Sequence, residues 1–89
     1  MNIIYNTLII QILLRYSMTL NKLEKGKSAT VTAVNATKEL KTRFSSFGLV
    51  KGAIVYTEEH SLAKKTMEIR INKTRIALRS SEAEKVEIA

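Results

Sequence analysis

The sequence predicts a mainly β domain with one short helix, in which short antiparallel strands curl into a small, partly open barrel. Apolar residues alternate with polar ones in several short segments, as in strands that bury one face. One charged segment has helical spacing instead, and the connections between segments are short. A chain of 89 residues has room for one hydrophobic core, so we expect a single such domain.

The first strand and the helix lie next to each other in the sequence. Small or apolar residues alternate with hydroxyl-bearing ones over 26–36, which predicts a strand with Val31 at the centre of its inner face. Over 37–47, apolar residues recur at helical spacing between lysines and arginine, with Phe44 in the middle. Thr37 is the expected N-cap, because its hydroxyl can accept a hydrogen bond from the first helical turn.

Three further strands are predicted after the helix. The segment 53–57 is rich in β-branched and aromatic residues, whereas 66–72 and 75–79 alternate apolar with charged residues. The last two should form a hairpin that turns at 72–74, where Asn72 tolerates a left-handed conformation. The segment Glu58–Lys65 is then the longest connection inside the barrel, and therefore a candidate for contacts with a partner.

A short helical turn and a last strand complete the predicted domain. Ser81 and Glu84 have the spacing of a capping box, which predicts one turn of helix beginning at Ser81. Val86 and Ile88 alternate with polar residues and should point into the core.

Two glycines four residues apart mark the junction between the helix and the next strand. Phosphate-binding glycine loops run from strand to helix, and a glycine seam between helices needs both glycines inside one apolar helix, so neither interpretation fits this order. Gly48 is instead expected to end the helix in a left-handed conformation, with Leu49 folded back onto Phe44. Gly52 should permit a second sharp turn.

Residues 1–17 differ in composition from the domain predicted at 18–89. Ten of the first fourteen residues are apolar and none is charged, and their spacing predicts an apolar helix. The segment is too short for a membrane span and lacks the features of a secretory signal. It is either an upstream extension without a native role, a helix that docks on a partner or self-associates through 3–14, or a membrane-surface anchor.

The charge balance limits the classes of partner without choosing one. Fifteen lysines and arginines against eight glutamates leave a net charge of +7, which favours nucleic acid, anionic lipid or an acidic protein. The chain contains no cysteine, so it has neither disulfides nor thiolate ligands, and a cytoplasmic location is expected.

The sequence offers little for catalysis, metal binding or base stacking. The chain has no aspartate and one histidine, and the serines at 45, 46, 80 and 81 are explained by helix or cap positions, so we expect no enzyme activity. Glu58 and His60 are the metal-ligand candidates, but the three consecutive residues 58–60 cannot all face one point, and no metal site or cofactor is predicted. Within the predicted barrel, Tyr56 is the one aromatic residue free to stack on bases, which argues against nucleic acid.

From Thr19 to its end, the sequence resembles the FeoA family, small cytoplasmic accessory proteins of bacterial ferrous iron uptake. The resemblance covers about seventy residues, and its strength lies in the order of the pieces rather than in any one of them. The matching positions are Thr19-Leu20-x-x-Leu23-x-x-Gly26, Val31, Val34, Leu40-x-x-Arg43-Phe44-x-x-Phe47-Gly48-Leu49-Val50-x-Gly52, Glu68-Ile69-Arg70-Ile71 and Ile76-Ala77-Leu78-Arg79-x-x-Glu82-Ala83.

The resemblance implies an SH3-like barrel without catalytic activity. It also implies a partner, the membrane iron transporter FeoB with its cytoplasmic GTP-binding domain, and attachment to the membrane only through that partner. Lys51 and Thr66 stand where relatives commonly have proline, and 72–74 lack the glycine of the family's hairpin turn. These turns are expected to be looser, with the fold retained.

The predicted contact surface combines the polar face of the helix with the long connection. Its residues are Lys38, Lys41, Leu62, Lys64 and Lys65. The favoured function is a non-catalytic interaction module of ferrous iron uptake and iron homeostasis. The alternatives are a basic barrel that binds nucleic acid and a regulatory module that binds a transition metal ion through His60 and Glu58.

Overall fold

The computed structural model describes residues 18–89, so the predicted apolar helix and self-association segment within 1–17 lie outside the described part. Among the described residues, no helix is long and apolar enough to cross a membrane. The elements in chain order are β1 (Met18–Thr19), a 3-10 turn (Leu20–Lys22), β2 (Ser28–Val34), α1 (Lys38–Ser46), β3 (Ile54–His60), β4 (Thr66–Ile71), β5 (Thr74–Arg79), α2 (Ser80–Ala83) and β6 (Val86–Ile88).

All strands belong to one antiparallel sheet with the order β1-β6-β2-β3-β4-β5. Strand β2 is shared: its first half pairs with β3 and its second half with β6. Just after the last residue paired with β3, the register of β2 against β6 changes between Val31 and Ala33. Such a bulge bends a strand and increases its twist, which lets a short sheet curl around a core. The predicted mainly β class is confirmed.

The core lies inside the curled sheet and is closed by α1. The prediction that β4 buries alternate residues is confirmed, because Met67, Ile69 and Ile71 are all buried. Phe44 on α1 is fully buried among them, and the centres of the Phe44 and Phe47 rings lie 6.2 Å apart. The buried apolar residues of the cluster are Leu20, Leu23, Val31, Phe44, Leu49, Val55, Met67, Ile69, Ile71, Leu78, Ala83, Val86 and Ile88.

Helix α1 begins and ends as the sequence predicts. The hydroxyl of Thr37 accepts a hydrogen bond from the backbone N–H of Leu40 at 3.3 Å. At the other end, the N–H of Leu49 donates to the carbonyl oxygen of Phe44 at 2.9 Å, and that of Gly48 donates to Ser45 at 3.1 Å. This pair of bonds is a Schellman ending, with Gly48 at a φ of +86°.

The β4–β5 hairpin turns at Asn72 and Lys73, within the predicted segment. Asn72 itself takes the left-handed conformation, with a φ of +55°. An asparagine therefore does at this turn what the family's glycine was expected to do.

Strand β3 is longer than predicted, so the prediction that Glu58–Lys65 is the longest connection is wrong. It continues to His60, so the connection to β4 is only 61–65, and the connection from α1 to β3 is the longer one. The register places Thr57 and Glu59 opposite consecutive residues of β4, which leaves Glu58 as the extra residue of a bulge. As a result His60 lies opposite the inward-facing Met67. Regular alternation cannot predict this change of face.

The short helix α2 begins earlier than predicted, so the capping box at Ser81 is wrong. Arg79 precedes the helix, and its backbone N–H donates to the carboxylate of Glu82 at 3.0 Å. The second oxygen of the same carboxylate accepts from the Arg43 guanidinium at 2.5 Å. Glu82 therefore fixes the start of α2 and ties it to α1.

Replacing Glu82 by glutamine should lower stability at neutral pH by about 0.5–1 kcal/mol, because the neutral amide can still accept from Arg79 but loses the charge that pairs with Arg43. Burial alone would raise the pKa of Glu82, but the hydrogen bond from Arg79 and the guanidinium of Arg43 together hold it below its ordinary value of 4.5. The contribution of the carboxylate is therefore complete above that value and is lost as the pH falls through the lowered pKa.

Chemical denaturation of wild type and Glu82→Gln between neutral and acid pH checks this expectation. The difference in unfolding free energy should shrink toward zero in acid. Glu84→Gln is the matched control, since Glu84 is exposed and in no ion pair with described residues. A gap of constant size at every pH would show that the Glu82 carboxylate charge is not what stabilises the helix start.

Candidate partner-binding groove

A groove runs between α1 and the second half of β2 and has a volume of about 690 Å³. The residues that line it are Thr32, Ala33, Val34, Ala36, Lys38, Lys41, Thr42, Ser45, Leu49, Val50 and Lys51.

The floor of the groove is apolar. Its apolar lining residues are Ala33, Val34 and Ala36 on one side and Leu49 and Val50 on the other. Leu49 belongs to the core and is fixed in place, while Val50 is 42% exposed. An apolar floor of this size without a covering side chain is suited to bind one or two apolar side chains of another molecule.

One face of α1 lines the groove. Lys38, Lys41, Thr42 and Ser45 fall at positions i, i+3, i+4 and i+7 of the helix, so their side chains lie along the same face. The hydroxyl of Thr42 donates to the carbonyl oxygen of Lys38, and that of Ser45 donates to the carbonyl oxygen of Thr42, both at 2.9 Å. These hydroxyls are satisfied within the helix, which leaves the lysines as the groove's outward polar groups.

The rim of the groove is positively charged. Lys38, Lys41 and Lys51 are exposed, and none forms an ion pair with a described residue. An apolar floor with an unneutralised cationic rim favours an apolar segment flanked by carboxylates.

The corner between α1 and β3, residues 48–52 with a glycine at each end, contributes to this groove. The prediction that Gly48 and Gly52 are turn residues is supported by their φ values of +86° and +91°. Between them, however, Val50 and Lys51 project into the groove, which sequence reasoning missed. The available signal was an apolar and a cationic residue placed between two turns, where neither can be needed for the core.

The family model that describes the FeoA domain matches residues 18–89. The chain belongs to the FeoA family. The resemblance found in the sequence is thereby confirmed.

Relatives of known sequence and structure agree with this FeoA assignment. Fe(2+) transport protein A of Campylobacter jejuni is 38% identical over 71 residues, which cover 80% of this chain and 96% of that protein. FeoA of Stenotrophomonas maltophilia, crystallised with zinc and described as a prokaryotic SH3 domain protein, has a TM-score of 0.72 and 31% identity, covering 82% of this chain and 91% of that one. FeoA of Chlorobium tepidum has a TM-score of 0.75 and 30% identity, covering 80% of this chain and 68% of that one. The FeoA barrel of this chain is thus SH3-like, as expected.

The predicted contact residues of the FeoA domain separate into two places. Lys38 and Lys41 line the groove, whereas Lys64 and Lys65 line a different depression beside α2. Leu62 lies at the tip of the loop 61–65 and is fully exposed. The structure therefore offers two surfaces where the sequence predicted one.

The metal-ligand candidates of the FeoA domain face different directions. Glu58 binds Arg70 at 3.2 Å and lies 3.9 Å from Arg75. His60 turns the other way because of the bulge, and its Nε2 donates to the carbonyl oxygen of Leu23 at 2.8 Å. Within residues 18–89, no three His or Glu side chains come close enough to hold a metal ion together. Glu58 and His60 cannot act as a pair.

The aromatic candidate for base stacking is already covered. The guanidinium of Arg70 lies 4.7 Å from the centre of the Tyr56 ring, within the range of a cation–π contact. A base could stack on the face of Tyr56 that Arg70 occupies, but only after Arg70 moved away from the ring. This geometry gives no support to the nucleic-acid alternative.

Proposed function

We propose that the chain is a non-catalytic accessory module of ferrous iron uptake. It acts in the cytoplasm by binding the cytoplasmic part of an FeoB-type transporter, either its GTP-binding domain or the core, and it raises the rate of transport. The proposal carries over to this chain the Fe(2+) transport for which one relative is named and the role of ferrous iron transport activating factor suggested for another.

The groove between α1 and β2 is the observation that supports binding as the mechanism. Its apolar floor would receive an apolar side chain of the transporter, and Lys38, Lys41 and Lys51 would pair with carboxylates on either side. The hydrogen-bonded ends of α1 hold both walls in place before binding, so little conformational entropy is lost when the partner docks.

Uptake measurements test the proposal in cells. Deleting the gene should lower accumulation of radioactive ferrous iron, and expressing the wild-type chain should restore it. The amount of transporter in the membrane must be shown to be equal in all strains, and its GTPase activity must be measured as well. Unchanged uptake, with an active transporter present, would refute an accessory role.

A further inference from the structure

The loop 61–65 between β3 and β4 has a fixed shape. The hydroxyl oxygen of Ser61 accepts from the backbone N–H groups of Lys65 at 3.1 Å and Thr66 at 3.2 Å. The N–H of Lys64 donates to the carbonyl oxygen of Ser61 at 2.8 Å, and Lys64 takes a φ of +54°. A non-glycine residue keeps this conformation only where the surrounding bonds hold it.

The same loop is also tied to the start of α2. The hydroxyl of Ser80 donates to the carbonyl oxygen of Lys64. The backbone N–H of Ser80 donates to the carbonyl oxygen of Lys65 at 2.8 Å. Ser61 and Ser80 thus hold the base of the loop from both sides. Its tip, Leu62 and Ala63, therefore projects from a rigid support rather than from a freely moving chain.

Leu62 is the most exposed large apolar side chain among the described residues. It is fully exposed, whereas Ile54, the next most exposed, is 66% exposed. A single exposed leucine needs no function by itself. Here, however, the loop's hydrogen bonds hold it away from the protein surface, and cations surround its base.

The cations belong to two adjoining depressions that share Lys64 and Ser80. Lys64, Lys65 and Arg79 line the first, and none of them forms an ion pair with a described residue. The second contains Lys22 and Lys25 but also two carboxylates, so the excess of positive charge lies on the loop side. We call Leu62, Ala63, Lys64, Lys65 and Arg79 the basic loop tip.

We propose that the basic loop tip binds the surface of an anionic phospholipid membrane, with Leu62 entering the headgroup region and the three cations lying over lipid phosphates. A bilayer accepts one projecting apolar side chain without a matching pocket, whereas a protein partner would need concave complementarity to a tip this small. Basic residues next to the membrane gain from the negative surface potential of the leaflet. The proposal stands apart from binding of the transporter, although both would place the domain at the same face of the membrane.

Sedimentation with vesicles tests the proposal with the full chain and no transporter present. We expect binding to vesicles of phosphatidylglycerol and phosphatidylcholine, weakening as salt is added, and little binding to phosphatidylcholine alone. Lys64→Gln with Lys65→Gln should lower the partition coefficient by about thirtyfold, at about fivefold for each cation. Leu62→Gln should lower it several-fold, by about the transfer free energy of one apolar side chain.

Two matched controls distinguish the contribution of the basic loop tip to vesicle binding from that of the protein's overall charge and exposed apolar surface. Lys38→Gln with Lys41→Gln removes the same charge from the groove, and Ile54→Thr removes the next most exposed large apolar side chain of the described residues. Both should leave vesicle binding nearly unchanged. Equal losses in the two lysine pairs, or binding that no loop variant alters, would overturn the proposal, as would failure to bind anionic vesicles. Since all these residues are exposed, equal melting temperatures should verify that the variants fold.

Discussion

Replacing Gly48 by valine should lower the free energy of unfolding by about 2 kcal/mol, because a β-branched residue is forced into a left-handed conformation. The φ of +86° at Gly48 is fixed by the two Schellman bonds that end α1. A Cβ at this position would lie 3.5 Å from the Cγ2 of Ile71, which is an ordinary contact. Backbone conformation rather than crowding is therefore the cause of the loss.

Thermal unfolding measures this effect, and the melting temperature should fall by about 10 °C in a domain of this size. Gly48→Asn is the matched control, since asparagine tolerates the left-handed conformation and should cost clearly less. Partner binding should weaken only to the extent that the protein unfolds. A Gly48→Val variant that melts like wild type but no longer binds the transporter would show that the corner is itself a contact.

Reversing two charges at the rim of the groove should weaken binding to the cytoplasmic part of the transporter by about tenfold or more. Lys38→Glu with Lys41→Glu removes two favourable charges and adds two repulsive ones beside the apolar floor. The loss should be largest at low salt and shrink as salt screens the charges.

Calorimetric titration of the purified transporter domain measures this loss. Lys27→Glu with Lys73→Glu makes the same change of charge at exposed positions that do not line the groove, and it should have a much smaller effect. Similar losses for the two pairs would mean that only net charge matters. The groove would then not be the binding site.

Local patterns in the sequence predicted most of the fold. The spacing of Phe44 and its neighbours located α1, Thr37 and Gly48 located its ends, and Met67 and Ile69 defined the inner face of β4. These features depend on residues close together in the chain, which is why they can be inferred without the tertiary structure.

The errors occurred where distant parts of the chain decide the structure. Strand β1 has only two residues and is defined by its pairing with β6, so no periodicity in the sequence predicts it. The bulge at Glu58 depends on the register with β4, and the Glu82 carboxylate that caps α2 is also held by Arg43 of α1. Single-sequence patterns contain none of this information.

The candidate site was predicted in part, for the same reason. The polar face of α1 correctly indicated Lys38 and Lys41 as lining an exposed surface. Grouping them with Leu62 assumed that the helix and the loop meet, which only the three-dimensional arrangement could decide. Val50 and Lys51 were missed because the corner was explained by its glycines alone.

The pairing of β1 with β6 has a consequence for how the protein is made. Met18 lies opposite Ile88, and β6 fills the space between β1 and β2. Because synthesis proceeds from the N-terminal end, residues 18–34 leave the ribosome long before their partner strand exists. Cotranslational folding cannot complete the sheet, and one edge of β2 stays open to other nascent chains until residues 86–88 emerge.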